Sequence, residues 1–281
     1  MPSLTVVDEK TEARPNPRQE ASVHAKGVSL RRRRAVTVGR GISGVVALAL
    51  IWEFAPLIGL VDAYFIPPLH VVLAEGWRMV NSGELWQHVS ASLTRSVIGF
   101  SLAIATAIPL GAAIAWYRPA REFFTPVLEL FRNTAALAIL PVFMLILGIG
   151  ETSKIAIVLF ACFFPILLAT ISGVATVDAH LVRSAKVLGL SPVATFRKVV
   201  FPAAVSTIFT GVRISGAAAI LVLIAAEMIG ATAGLGFLIN YAQYNFLIPK
   251  MYAAILTTSL IGVAVNYGLV ALERRFSQWR A

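Results

Sequence analysis

The sequence predicts an all-α membrane protein with about six transmembrane helices, and three observations lead to this fold class. Of the 281 residues, 58% are hydrophobic and only 14% are charged, whereas a soluble domain carries about 25% charged residues. Six apolar stretches reach the length of about 20 residues that a helix needs to cross the hydrocarbon core. Their apolar residues are continuous instead of alternating, which favours helices over barrel strands. The six stretches cover approximately residues 41–60, 93–116, 125–148, 154–173, 205–229 and 251–272.

The first 40 residues differ in composition from the rest of the chain. They are polar and rich in Pro, Glu, Lys and Arg, and such a segment lacks the apolar residues needed to fold alone. The apolar run after Arg40 is longer than the core of a signal peptide, and Glu53 and large residues follow it instead of a cleavage site. We therefore expect a disordered basic cytoplasmic tail over 1–40 and a transmembrane domain over 41–281.

The basic residues between the apolar stretches predict the orientation. With the amino terminus in the cytoplasm, eighteen of the 24 Lys and Arg residues fall on the cytoplasmic side, where such residues are enriched in membrane proteins. Only Arg78, Lys154 and Lys250 would lie outside. The net charge of +10 thus follows membrane topology and does not indicate nucleic acid as a partner. We expect both termini in the cytoplasm.

Two shorter segments leave alternatives open. Residues 230–248 are apolar enough for a seventh span, but that span would place Arg274 and Arg275 outside, so a surface or re-entrant segment is favoured. Residues 69–80 follow a proline pair and carry apolar residues on one helical face. This pattern is typical of an interfacial helix, which we place on the outer surface.

Small residues recur at every fourth position in two of the apolar stretches. Such spacing lets helices approach closely in lipid, so we expect a packed bundle. The residues concerned are Gly99, Ala103, Ala107 and Gly111 in the second stretch, and Gly211, Ser215 and Ala219 in the fifth.

The cytoplasmic loop over 176–204 carries more structure than a plain connector needs. Asp178 is suited to cap a short helix, and Gly189 is suited to end it in the left-handed conformation. Ser191 and Pro192 are typical of the cap and first position of a second short helix. The loop therefore predicts a rigid amphipathic platform for a soluble partner. A connector lying on the lipid surface is the alternative that the residues leave open.

One pattern in this loop has a known counterpart. Its residues are Arg183, Ser184, Ala185, Gly189, Val199, Phe201 and Pro202. Their spacing resembles the cytoplasmic loop motif of binding-protein-dependent ABC importer permeases, which reads Glu-Ala-Ala, three residues, Gly, nine residues, Ile, any residue, Leu-Pro. Ala185, Gly189 and Pro202 keep the identities of the motif, whereas Arg183 reverses the charge of its glutamate.

Further fragments along the chain resemble the nitrate/sulfonate/taurine branch of these permeases. Examples are Ser92-Leu93-Thr94-Arg95, Ala226-Glu227-Met228-Ile229-Gly230 and Leu272-Glu273-Arg274-Arg275, and Ala135 stands where the family is expected to have a proline. The resemblance implies a type I importer permease fold in a bacterial inner membrane. It also implies a permease that moves a small solute, such as a sulfonate, taurine or nitrate, into the cytoplasm.

The same resemblance implies the partners and the coupling residues. The partners would be a second permease copy, two cytoplasmic subunits that bind ATP and Mg²⁺, and an extracytoplasmic substrate-binding protein. The residues implied to contact the ATPase are Arg183, Ser184, Ala185, Gly189, Leu190, Pro192, Val199 and Pro202.

The residues themselves indicate a transport subunit without chemistry of its own. A phosphate-binding loop needs a lysine after glycine, and none of the six lysines follows a glycine. The four histidines show no metal-ligand spacing, and Cys162 has no cysteine to pair with. We expect no ATPase site, metal or cofactor in this chain.

Charged residues inside the spans are candidates for a translocation path, because they are costly there. Arg132, Arg213 and Glu227 are the three candidates. Structural alternatives stay open: an Arg132–Glu129 pair, a pair between Arg213 and a carboxylate on a neighbouring helix, or side chains that reach the cytoplasmic surface. Glu227 could equally contact a gate or form a packing hydrogen bond. We expect Arg95 to anchor the outer interface.

Two other function classes compete with the importer permease. A secondary transporter would need a coupling-ion site near the midplane, for which only Glu53, Glu129 and Glu227 are candidates, none clearly central. A membrane scaffold would use the capped loop to hold a signalling partner.

Overall fold

The computed structural model describes residues 43–277, without the side chains of 274–277. The predicted tail over 1–40 lies outside the described residues and stays a prediction. The chain divides into two compact units between Ala63 and Tyr64. The described part of the first unit contains helix α1 (Ser43–Leu57). At 1.5 Å per residue its 15 residues extend about 22 Å, less than the roughly 30 Å of a hydrocarbon core.

The regular structure described in the second unit is entirely helical. Its helices are α2 (Leu69–Asn81), α3 (Glu84–Trp116), α4 (Arg118–Asn133), α5 (Ala136–Leu147), α6 (Glu151–Ala175), α7 (Ala179–Val187), α8 (Pro192–Thr195), α9 (Phe201–Glu227), α10 (Leu235–Tyr244) and α11 (Ile248–Ser277). A π-helical turn, Phe196–Val200, joins α8 to α9.

Helices α3, α6 and α9 form the centre of this unit, and small residues allow them to pack closely. Ala103 and Ala107 of α3 are fully buried. A Cβ added to Gly111 would lie only 2.8 Å from Cβ of Thr170 in α6. A Cβ on Gly211 of α9 would overlap Ala169 of α6. The predicted close packing along both small-residue stripes is therefore present.

The predicted third span is not one continuous helix. Helices α4 and α5 meet at an angle of 91°, because Thr134 and Ala135 adopt extended backbone conformations. The Thr134 hydroxyl donates to the Leu130 carbonyl at 3.0 Å, and such side-chain bonds to the backbone compete with helix continuation. The prediction of a single helix over 125–148 is corrected accordingly, and the first arm begins at Arg118.

Four helical segments of the described chain are long and apolar enough to cross a membrane, and a fifth is present if α4 and α5 are one broken span. They are α3, α6, the segment Pro192–Glu227 and the segment Ile248–Glu273. The expectation of about six spans thus corresponds to these four, the broken pair and the shorter α1.

The two uncertain segments both form short helices. Helix α2 buries Val72 and Met79 and exposes Leu73 and Trp77, as an interfacial helix packed on one side would. Helix α10 has ten residues, too few to cross a bilayer. This length excludes a seventh span over 230–248 and agrees with the favoured surface or re-entrant segment.

Candidate functional site

The short helix α7 has the caps that the sequence predicts. The Asp178 carboxylate accepts from the backbone N–H of His180 at 2.8 Å. Gly189 has a φ of 76°, and its N–H donates to the Lys186 carbonyl at 3.0 Å. The carboxyl end of α7 is thereby closed by the left-handed glycine, which satisfies carbonyls that would otherwise lack partners.

Helix α8 also begins as predicted but does not end as a separate helix. The Ser191 hydroxyl accepts from Ala194 N–H at 3.3 Å, and Pro192 follows as the first helical residue. The helix then continues through the π-helical turn into α9. In that turn the N–H of Phe201 donates to the carbonyl of Phe196, five residues back. This wider turn accommodates Pro202, which has no N–H for the usual bond.

We call residues 178–202 the coupling segment. Its outer surface is apolar and basic: Val187 is 88% exposed, Leu188 79% and Val193 76%, and Arg183 and Ser184 are exposed. Ala185 is buried, so a larger residue would separate α7 from the helices beneath it. Leu190 and Val199 are half-buried, and Gly189, Pro192 and Pro202 are exposed. The segment therefore has a rigid, partly apolar exposed surface.

A cavity of about 1150 Å³ with both apolar and polar lining residues lies between α4, α6 and α9. It occupies the half of the bundle nearer the coupling segment, since its α6 residues lie towards the end of that helix. Its charged and hydroxyl-bearing lining residues are Arg121, Glu122, Thr125, Glu129, Arg132, Ser172, Ser206, Thr207, Thr210 and Glu273. Such a cavity can hold a small polar solute among hydroxyl groups and a few charges.

The two arginines predicted for the path have different surroundings. Arg132 lines the cavity and forms no ion pair with any described residue, so the proposed Arg132–Glu129 pair is not formed. Arg213 forms an ion pair with Glu273 of α11 at 3.2 Å. This is the structural alternative that the sequence left open, a carboxylate on a neighbouring helix.

Glu227 lies at the opposite end of the bundle in a buried network. Its carboxylate accepts from the Ser92 hydroxyl at 2.8 and 2.9 Å, from Nη1 of Arg95 at 2.6 Å and from the N–H of Gly236 at 3.0 Å. Arg95 also binds Glu151 through two nitrogens and donates to the Ala233 carbonyl. The network joins α3, α6, α9 and the start of α10.

The structure corrects one prediction about this end and adds a buried lysine to it. Arg95 is only 3% exposed and therefore does not anchor an interface. Lys154, which the sequence places on the outer side, is buried at the start of α6, where Nζ donates to the carbonyls of Gly150 and Gly230. The acceptors that Arg95 and Lys154 bind lie mostly far away in the sequence, so local sequence patterns cannot reveal these bonds. The spacing of Ser92 and Arg95 on one helical face was the available signal.

Comparison with known proteins identifies the family. Residues 107–278 match the model of the binding-protein-dependent transport system inner membrane component. The chain belongs to this family. It is therefore the permease subunit of an ABC importer. A probable ABC transporter permease protein of Brucella abortus is 36% identical over 209 residues, 74% of this chain and 84% of that protein.

Two further comparisons concern the branch and the fold of the permease. The taurine transport system permease protein TauC of Escherichia coli is 34% identical over 251 residues, covering 88% of this chain and 90% of that protein. The fold matches a solved structure of the MetNI methionine ABC transporter in an inward-facing conformation, with a TM-score of 0.61 and 16% identity, over 68% of this chain and 95% of that one. The expected branch and fold of the permease are confirmed, and the secondary transporter and the scaffold are excluded.

Proposed function

We propose that the permease passes a small anion of the sulfonate type into the cytoplasm when a separate ATPase moves the coupling segment. The observation that carries this proposal is the continuous helix Pro192–Glu227. Its 36 residues extend about 54 Å from the coupling segment, along the cavity, to Glu227. A displacement at one end is therefore transmitted to the other.

The surface of the coupling segment supports docking of a soluble partner. Exposed Val187, Leu188 and Val193 supply apolar area, and exposed Arg183 and Lys186 supply positive charge around it. Caps at both ends of α7 fix its shape before binding, which lowers the entropy that ordering would otherwise cost. The partner binds ATP and Mg²⁺, and this chain contributes no ATPase site.

The cavity supports a path for a small anion. Arg121 and Arg132 are lining arginines that no carboxylate of the described residues neutralises, and the hydroxyl groups of Ser172 and Ser206 are hydrogen-bond donors. TauC, whose name specifies taurine, is similar over most of the chain. A sulfonate has the charge and the oxygen acceptors that such a lining would bind.

The remaining partners follow from this assignment. Two permease copies and two ATPase subunits form the transporter, and a substrate-binding protein delivers the solute at the end that contains Glu227. The bias of basic residues supports termini and coupling segment on the cytoplasmic side of a bacterial inner membrane.

The test is capture of the ATPase subunit by permease variants in membranes. In Gly189→Pro, proline cannot adopt the φ of 76° and removes the N–H bond to Lys186. We expect this variant to lose the ATPase and ATP-dependent uptake of taurine by proteoliposomes. The matched control is Gly83→Pro at the opposite end, where φ is 78° and the N–H donates to Val80 at 3.1 Å. Equal capture by both variants would show that the coupling segment does not dock the ATPase.

A further inference from the structure

We propose that Arg95 and Glu227 act as a latch that holds the loop over 228–236 across the bundle end opposite the coupling segment. Movement of α9 opens that end by separating the two residues. This inference rests on the proposed function, because the latch acts on the same helix that the ATPase is proposed to move. Arg95 and Glu227 are positioning residues in this scheme and need not touch the solute.

The Glu227 carboxylate accepts from three donor groups on different elements, and the single proton of the Ser92 hydroxyl is shared between its two oxygens. One oxygen accepts from Arg95 and Ser92 of α3, and the other accepts from Ser92 and from the N–H of Gly236. The Ser92 hydroxyl in turn accepts from the N–H of Leu235 at 2.8 Å. The carboxylate at the end of α9 thus fixes both α3 and the first turn of α10.

The loop itself is shaped around this carboxylate. A Cβ on Gly234 would overlap the Glu227 carboxylate, and a Cβ on Gly236 would overlap the Ile224 carbonyl oxygen as well as Cβ of Glu227, so the loop passes this close to Glu227 only with glycine at both positions. Arg95 and Lys154 hold the loop carbonyls of Ala233 and Gly230 at 2.6 and 3.1 Å. The loop is therefore fastened by polar bonds, which water can replace when the bundle end opens.

Arg95 has a second carboxylate partner that suits a reversible latch. It binds Glu151 of α6, whose side chain is 61% exposed, whereas the Glu227 side chain is fully buried. When α9 moves, Arg95 keeps its pair with Glu151, and its charge stays compensated. Release of Glu227 therefore does not leave an unpaired arginine in a buried site, which is the arrangement that would oppose opening most strongly.

The test is the accessibility of the loop in the complete transporter in lipid nanodiscs. Cys162 is replaced by alanine, and a single cysteine replaces Leu235, which is buried. We expect slow reaction with a water-soluble maleimide in the resting state and faster reaction during ATP turnover. Glu227→Gln places an amide NH₂ against the N–H of Gly236 or of Arg95. We expect Glu227→Gln to raise the rate of maleimide reaction in the resting state about tenfold, which is the order expected from one lost charge-assisted hydrogen bond.

Controls separate the latch from a general loss of structure. Glu84→Gln breaks the Lys250–Glu84 ion pair at the same end, outside the network, and should leave the labelling rate unchanged. An assembled Glu227→Gln transporter that labels at the original rate would overturn the latch. If Glu227→Gln does not assemble, Ser92→Ala is measured instead, and an unchanged labelling rate in that variant would likewise overturn the latch. If the unmodified transporter shows no ATP-dependent uptake, the proposed function is refuted instead. The latch is then still decided by comparing the resting labelling rates of the unmodified transporter and of Glu227→Gln.

Discussion

Replacement of Gly99 by alanine tests whether an absent side chain sets the approach of α3 and α6. A Cβ at this position would lie 2.8 Å from both the Ile155 carbonyl oxygen and Cβ of Val158. Ordinary carbon contacts are about 3.5–4.0 Å, so the helices must separate locally by roughly 0.7 Å. Neither neighbouring atom belongs to the end of a flexible side chain, so the helices themselves must move.

The expected magnitude is the balance of two opposing effects. Overpacking costs about 1–3 kcal/mol, whereas the replacement of glycine by alanine inside a helix stabilises the helix by about 1 kcal/mol. We expect Gly99→Ala to lower the free energy of unfolding by up to about 2 kcal/mol, measured for the purified permease in mixed micelles by tryptophan fluorescence. Gly262→Ala in α11, with no atom within 4 Å, is the matched control and should be neutral or stabilising. Equal stability of the two variants would refute the packing argument.

Three further predictions concern the coupling segment and the cavity. Asp178→Ala removes the cap of α7, worth about 1 kcal/mol, and should weaken ATPase binding about fivefold in a titration, whereas Asp178→Asn should retain it. Arg213→Ala should change the free energy of unfolding by less than about 1 kcal/mol, because its pair with Glu273 is partly exposed. Arg132→Ala should reduce taurine uptake without reducing ATPase capture, and Arg132→Lys should restore part of the uptake. Loss of capture in Arg132→Ala would contradict a role confined to the path.

Features fixed by neighbouring residues were accessible to prediction. The cap at Asp178, the left-handed Gly189 and the helix start at Pro192 each depend on atoms within four residues. The small-residue stripes could also be predicted from the sequence, because a four-residue repeat places its members on one helical face. These local rules gave the shape of the coupling segment and the packed centre of the bundle.

Features that depend on distant partners were predicted wrongly or left open. Arg95 was placed at an interface because its partners Glu151 and Glu227 lie 56 and 132 residues away. The bend at Thr134 and Ala135 was missed, since the apolar content alone suggested one span. The continuation of α8 into α9 depends on a π-helical turn before Pro202, which no simple period reveals.

The most direct test of the account is site-specific photo-crosslinking from Val187 in membranes that contain the complete transporter. Val187 is 88% exposed and lies at the carboxyl end of α7, in the middle of the proposed docking surface. The account predicts a crosslink to the ATPase subunit. A crosslink to lipid alone, or to the substrate-binding protein on the other side of the membrane, would contradict it.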